Sequence, residues 1–486
     1  MDQLFAFPLE IPARGRLQAL HGQLRAAILD GRLRGGQTLP STRALAGSLG
    51  VSRNTVVSAY DRLLSEGYVS ARQGASHVVA DVLSSRSAAP HARPAGGDSR
   101  LHPRWREATL PQPLSAAMPA RYDLRVGLPD TSRFPFEIWR RLSARALRTL
   151  SRAPAIYDAA EGRLSLRAAI AGHISFTRAV ACSADDIVVT SGAQQAFDLL
   201  ARVLVIPGRT VVAVEDPGYP PLRAAFEAAG ARVVPVPVDA EGLVVERIPI
   251  EARVIYVTPS HQFPLGMVMS PARRLALLAF ARQHGAVVIE DDYDGEFRYG
   301  GRPLDALQTL DRDGVVFYVG TFSKSLFPAL RLGYLVTPPW AMAALARARQ
   351  LSDWHSDVLA QDTLALFIAE GHLARHVRKM RRIYGERRDA LLDALSRQAG
   401  NVLRPLASDA GLHLGATLSA PIRIDALIAH AAEQGLRIES LQDYAIGDSA
   451  PSGLAFGLGM MSAARIEEAA RLLGRLLHAH RETHRP

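Results

Sequence analysis

Lysine is all but missing from this 486-residue chain: two stand against 55 arginines. A chain that meets nearly every need for positive charge with arginine has little use for lysine as a mere cation. Where one is kept, the chemistry that arginine cannot perform comes into question. Foremost is imine formation with an aldehyde, which needs an amine that gives up its proton. Lys379 lies in the basic run Arg378-Lys379-Met380-Arg381-Arg382, whereas Lys324 lies among hydroxyls and small residues in Gly320-Thr321-Phe322-Ser323-Lys324-Ser325. From the count alone, a solvated survivor reads the same as a reactive amine. Cysteine is scarcer still. Cys182 stands alone, which excludes an internal disulfide. No apolar run is long enough to cross a bilayer, and Met1-Asp2-Gln3-Leu4-Phe5 lacks the basic start of an export signal. The expected compartment is the cytoplasm, with no membrane partner and no metal site.

What is present is an ordinary globular composition, 48% hydrophobic and 21% charged, with room for two or three domains. The formal net charge is +10. Residues 1–110 hold 14 arginines and no lysine against 8 acidic residues. That excess suits a polyanion, because each phosphate contact releases counterions. Arginine-rich composition has other origins, so charge alone leaves a nucleic-acid partner open.

Leu17, Leu20, Leu24, Ile28 and Leu29 recur at helical spacing, and Gly31 ends the run. A second helix starts at Pro40-Ser41-Thr42-Arg43, with Leu45, Ala46 and Leu49 inward. After the turn at Gly50-Val51, Ser52 caps a third helix carrying Val56, Ala59, Tyr60 and Leu63. Two short strands around Gln73-Gly74-Ala75-Ser76 complete a winged helix-turn-helix over residues 1–81. Residues 82–117 shift to Ala, Ser, Pro, Gly and His and read as a linker. Over 118–486, helices alternate with near-continuous apolar strands at Ile187–Thr190, Val211–Val214, Val233–Val238, Val254–Val257, Val287–Glu290 and Val315–Val319. This is the α/β pattern of a mostly parallel sheet covered on both faces. Strand-like pieces at Gly411–Leu414 and Leu454–Leu458 suggest a small C-terminal subdomain.

The segments Leu39-Pro40-Ser41-Thr42-Arg43-Ala44-Leu45-Ala46 and Leu49-Gly50-Val51-Ser52-Arg53-Asn54-Thr55-Val56 resemble the GntR family of bacterial DNA-binding domains over about 65 residues. Independently of that resemblance, Ser52, Arg53, Asn54 and Thr55 open a helix whose free amides suit phosphate and whose side chains suit base edges. The resemblance adds Arg43 as a phosphate or base contact and the wing around Gly74 as a minor-groove contact. Double-stranded operator DNA is the implied partner.

Three strand ends carry the remaining chemistry. Glu290-Asp291-Asp292-Tyr293 puts carboxylates where ligands bind in such sheets. Thr190-Ser191-Gly192-Ala193-Gln194-Gln195 opens a helix, a phosphate cradle. Glu215-Asp216-Pro217-Gly218-Tyr219 brings an aromatic ring. Taken singly, Asp291 reads equally as a cap, Tyr219 as core and Arg331 as a solvated cation. With Lys324, these motifs resemble class I aminotransferases of the pyridoxal-phosphate (PLP) fold type I over about 350 residues. Head and body together resemble MocR-type regulators. The resemblance implies pyridoxal 5'-phosphate as cofactor, held as a Schiff base by Lys324. Asp291 would pair with the pyridine nitrogen, Tyr293 with the ring hydroxyl, and Tyr219 would stack on the ring. Gly192, Ala193, Gln194, Thr321, Ser323 and Arg331 would hold the phosphate. Tyr157 would reach the phosphate of a partner subunit, which implies a homodimer.

Two departures stand out. Phe263 occupies the place of an asparagine that bonds the ring hydroxyl, so Tyr293 acts alone there or His261 or Gln262 takes over. Leu454 stands where an arginine clamps the substrate α-carboxylate, and without a bidentate clamp orientation is lost. The implied function is a PLP-dependent transcriptional regulator sensing an amine, an amino acid or PLP itself. The alternative is a working aminotransferase with a DNA-binding head.

Overall fold

The structure is a computed structural model and describes residues 4–72, 76–80, 105, 120–154, 156–300, 304–447 and 450–482. Two compact units divide the chain, Met1–Ala108 and Thr109–Pro486. The linker expected at 82–117 lies outside the described residues, Trp105 excepted.

In the first unit, α1 (Arg16–Leu29) buries Leu20, Leu24, Ala27 and Ile28, which its 3.6-residue period lines up on one face. α2 (Thr42–Leu49) is capped by Ser41, whose hydroxyl accepts from Ala44 N at 3.2 Å, and ends on Gly50 at φ 63°. α3 (Arg53–Ser65) is capped by Ser52 and buries Val56, Ala59, Tyr60 and Leu63. Full burial of a leucine such as Leu63 contributes about 1.5–3 kcal/mol, and these side chains share one core. The Tyr60 hydroxyl, buried with its ring, donates to Pro40 O at 2.9 Å and ties α3 to the start of α2. β1 (Val69–Arg72) pairs antiparallel with β2 (Ser76–Val79), as expected for a wing.

The second unit opens with β3 (Tyr122–Asp123) and is built on an eight-stranded sheet. Its strands are β4 (Ile187–Thr190), β5 (Val211–Asp216), β6 (Arg232–Asp239), β7 (Gly242–Leu243), β8 (Ala252–Val257), β9 (Val287–Asp292), β10 (Val316–Thr321) and β11 (Gly333–Val336). Their order is β4-β11-β10-β9-β8-β5-β6-β7. β10, β9, β8, β5 and β6 run parallel to one another; β11 is antiparallel to both β10 and β4. Alternation along the strands feeds two cores. Val188, Val212, Val254, Ile289 and Phe317 pack with helices Ala193–Leu204 and Pro220–Ala228, while Val211, Ile255, Val288 and Val316 pack with helix Pro271–His284.

A smaller antiparallel sheet, β12 (Leu403–Pro405), β13 (His413–Leu418), β16 (Gly453–Gly457) and β15 (Glu439–Ser440), packs against helices His372–Ala399 and Ala463–Glu482. β14 (Leu436–Arg437) pairs in parallel with β3, which anchors residues 122–123 to this subdomain. Six of these strands, β3, β7, β11, β12, β14 and β15, were not expected from the sequence. All are four residues or shorter, too short to show a period of two. Among the described residues, no helix is long and apolar enough to cross a membrane.

Candidate functional site

On the first unit, Arg43, Ser52, Arg53 and Asn54 are exposed and Thr55 is half-buried. The Ser52 hydroxyl accepts from Thr55 N at 3.1 Å and lies 2.8 Å from Thr55 Oγ1, so both side chains are engaged in the cap. Arg53 and Asn54 are exposed at the helix start, where the positive end of the dipole points outward; Arg53 Nε donates to Thr42 Oγ1 at 3.4 Å. Gly74 lies outside the described residues.

On the second unit, the carboxyl ends of five strands meet. Lys324 follows β10 by three residues, and its Nζ donates to Gly127 O at 2.7 Å. Burial lowers its pKa, opposed by the charges of Asp294 and Asp291, which favours the free amine. Asp291, buried on β9 in register with Val319 of β10, accepts from the Tyr256 hydroxyl at Oδ2, 2.8 Å away. Its Oδ1 is buried with no protein partner among the described residues. Burial pushes this carboxyl up to about 7; the Tyr256 bond and Lys324 act the other way. Such an orphaned acceptor in a closed site calls for a donor from a ligand. Glu215, at the end of β5, is likewise pushed up to about 7 by burial. It accepts from Thr258 N at 3.1 Å and Thr258 Oγ1 at 2.6 Å, and its Oε1 is an orphan.

A cradle forms where β4, β11 and β10 lie side by side. Thr190 pairs with Gly333, and Gly333 with Thr321. Gly192 (φ 82°) precedes helix Ala193–Leu204, and a Cβ there would lie 3.1 Å from Arg331 Nη1. Arg331, itself left-handed at φ 50°, donates to Ser191 O. Thr321 Oγ1 lies 3.1 Å from Ser323 Oγ and accepts from Ser323 N at 3.2 Å. Gln194 turns its amide to Pro221 O, leaving its backbone N–H as its offering to the cradle. Helix start, two hydroxyls and a guanidinium make an anion site.

The Tyr219 ring stands 5.5 Å from Phe263 and 6.3 Å from Phe197, edge to face with each. The charges of Asp291 and Arg331 both act on its hydroxyl. The Tyr293 hydroxyl meets His261, 3.0 Å from Nδ1 and 3.0 Å from the carbonyl oxygen. Gln262 instead donates to Pro217 O and Phe263 O, so of the two neighbours of Phe263 it is His261 that reaches Tyr293. Tyr157 is 71% exposed, its ring 4.3 Å from that of Trp354, and makes no contact with Lys324 or Asp291.

At the second departure, Leu454 is fully buried in the core of the small subdomain, so it is not the residue that looks toward the site. Alternation turns its neighbours the other way: Ala455 joins Val126, Phe263, Leu265 and Leu441 in a separate apolar cluster. A Cβ on Gly453 would lie 2.3 Å from Ala416 O, so no side chain fits there. The site-facing positions of β16 therefore carry no arginine in either register. Sequence reading missed Tyr256 and Gly127. Tyr256 is the one polar residue in the run Val254–Val257 of β8, a signal available in retrospect; Gly127 acts through its backbone and gives none.

Residues 122–436 match the family of class I and II aminotransferases, and residues 17–79 match the gntR family of bacterial regulatory proteins. The chain is 38% identical to a probable rhizopine catabolism regulatory protein, MocR, of Rhizobium meliloti, over 87% of this chain and 85% of that one. It is 34% identical to the HTH-type pyridoxine biosynthesis transcriptional regulator PdxR of Corynebacterium glutamicum, over 93% and 92%. Among solved structures it is similar to a kynurenine aminotransferase of Pyrococcus horikoshii in complex with PMP. That match has a TM-score of 0.69 and 28% identity, covering 75% of this chain and 91% of that one. The α-aminoadipate aminotransferase LysN of Thermus thermophilus, complexed with N-(5'-phosphopyridoxyl)-L-leucine, gives a TM-score of 0.67 at 29% identity, covering 73% and 91%.

Proposed function

This chain belongs to the MocR-type regulators, a gntR-family head joined to a class I and II aminotransferase body, and from that premise we propose that it regulates transcription by reporting an amine bound at a pyridoxal 5'-phosphate site. The carrying observation is the pairing of a primary amine, Lys324, with the orphaned buried carboxylate oxygen of Asp291. The residues fit the cofactor: the cradle at Gly192, Ala193, Gln194, Thr321, Ser323 and Arg331 suits its phosphate, and Tyr219 offers a ring face. When bound, the cofactor supplies an aldehyde for a primary amine and a ring that withdraws electrons from the carbon attached to it.

The protein's part is to bind and orient. Asp291, held by Tyr256, would pair with the pyridine nitrogen and keep it protonated. Lys324, released from Gly127 O, would be the amine that holds the aldehyde, with water leaving. Tyr293 would hold the ring hydroxyl. Tyr157, exposed beside Trp354, serves the cradle of a partner subunit in a homodimer. Each head places Arg53 and Asn54 in a major groove, with Arg43 on the backbone, at paired operator sites in the cytoplasm.

The absent clamp on β16 favours ligands without an α-carboxylate, a simple amine or PLP itself, over ordinary amino acids. Absorption spectra of the loaded protein during titration with amines and amino acids test this. A shifted or unchanged band without conversion to the pyridoxamine form is expected. Conversion that a keto acid reverses would support the second reading, a working aminotransferase, which the intact pair of Lys324 and Asp291 favours. For the head, Arg43→Ala should weaken operator binding roughly tenfold and lower the slope of log K against log salt by about one. Mobility shifts at several salt concentrations measure both, and unchanged binding would remove Arg43 from the interface.

A further inference from the structure

His261 is buried beside the site, yet the cofactor chemistry above gives it no task. Its Nδ1 lies 3.0 and 3.2 Å from the two carboxylate oxygens of Asp294 and 3.0 Å from the Tyr293 hydroxyl. Both side chains of the pair are 1% exposed. Nε2 lies 3.1 Å from Ser408 Oγ, and Asp294 also accepts from Leu412 N at 3.0 Å. The His413 ring packs 4.5 Å from that of His261, and its Nε2 donates to Pro264 O. Burial drops His413 to about 3, so it adds no charge. The trio His261, Asp294 and His413 has the donor types of a metal site. Three of its four ring nitrogens, however, are already committed to protein partners.

A proton inventory fixes what His261 offers Tyr293. Ser408 Oγ also lies 3.0 Å from Ala410 O, and a hydroxyl has one proton to give. Whichever way that proton goes, the Asp294 carboxylate, with both oxygens near Nδ1, is what keeps a proton on that nitrogen, where it is shared with the Tyr293 oxygen. The Tyr293 hydroxyl proton then goes to His261 O at 3.0 Å, and its remaining lone pair is left for a donor in the site. Phe263 meets Tyr293 edge to face at 5.8 Å, so position 263 supplies no hydrogen bond there.

We propose that His261, oriented by Asp294, is a positioning residue that makes the Tyr293 oxygen an acceptor and thereby sets the protonation of the ring oxygen of the cofactor. This rests on the PLP reading. The groups whose charge reaches the Tyr293 hydroxyl are Asp294, Asp291, Glu215 and Asp292, with burial foremost in holding its proton on. Lys324 lies within reach of Asp294 and His413. Asp294→Asn would act on Lys324 directly, so His261 is the residue to change.

The experiment is a pH titration of the visible band of the full-length, cofactor-loaded protein. His261→Leu and His261→Gln are each made alone and in a Tyr293→Phe background. His261→Leu should move the midpoint by roughly one pH unit, and His261→Gln, which retains a donor, by less. Both shifts should vanish once Tyr293 is phenylalanine. An unmoved midpoint with only thermal stability lost would make His261 a packing residue. An equal shift in the Tyr293→Phe background would show that it does not act through Tyr293. If His261→Leu fails to fold, the comparison of His261→Gln with and without the Tyr293 hydroxyl decides. A wild-type protein that forms no visible band would sink the cofactor reading instead, a separable failure.

Discussion

Lys324→Ala should leave the protein unable to hold its cofactor covalently. After borohydride reduction and denaturation, wild-type protein should retain one pyridoxyl group per chain and the variant none. The composition makes this test unusually clean. Pyridoxal phosphate attaches adventitiously to exposed lysines, and the only other lysine here is Lys379, exposed on helix His372–Ala399. Lys379→Ala should keep the full covalent signal. Lys324→Arg separates charge from reactivity: it restores the cation but supplies no amine that deprotonates, so it should fail as Lys324→Ala does. Reduction that still traps cofactor on Lys324→Ala would overturn the assignment. Binding without the covalent bond should persist weakly, because the phosphate cradle and Asp291 remain.

Arg178→Ala should cost the second unit about 3–5 kcal/mol. Arg178 closes helix Leu164–Arg178 and is 5% exposed. Its guanidinium meets Asp292 Oδ2 at 2.6 Å, Leu304 O at 2.6 Å and Ser260 Oγ. The acidic residues whose charges it meets are Asp292, Glu290 and Glu296. Burial, with the neighbouring negative charges, pushes Glu296 up to about 8 and Glu290 to about 7. Removing the cation leaves Asp292 buried with the Tyr318 hydroxyl as its neutral partner. Denaturant unfolding of the cofactor-free protein measures the loss, read from a probe in the second unit because the head is a separate compact unit. Arg178→Met with Asp292→Asn should recover much of it, since the stranded charge is removed. A loss below about 1 kcal/mol for Arg178→Ala would show that Asp292 finds another counter-charge.

The sequence made the local parts of this protein readable and hid the distant ones. Helices α1 to α3 follow from the periodicity of Leu20, Leu24, Val56, Ala59 and Leu63 and from caps at Ser41 and Ser52, all interactions within a few residues. Lys324 and Asp291 were visible because one follows a strong strand and the other lies near the end of one, in motifs with few alternative uses. The partners that give them their character were not. Gly127 lies 197 positions from Lys324 and contributes a carbonyl that every residue has. Arg178 was one of 55 arginines until the fold set it 114 positions away, against Asp292. Leu454 was read in the right segment with the wrong outlook, because only the pairing of β16 with β13 decides which side chains turn toward the site.

The bond from Lys324 to Gly127 has a consequence for how a signal could leave the pocket. When the amine is engaged elsewhere, the carbonyl of Gly127 loses its donor and must be met by water or by movement of its segment. That segment is short and braced on both sides. Val126 N donates to Glu439 at 2.7 Å, and Asp130 is bound by Arg387 and takes the Tyr384 hydroxyl as acceptor for its amide. Occupancy of one nitrogen is thus written into the backbone between Val126 and Asp130, a stretch held at both ends.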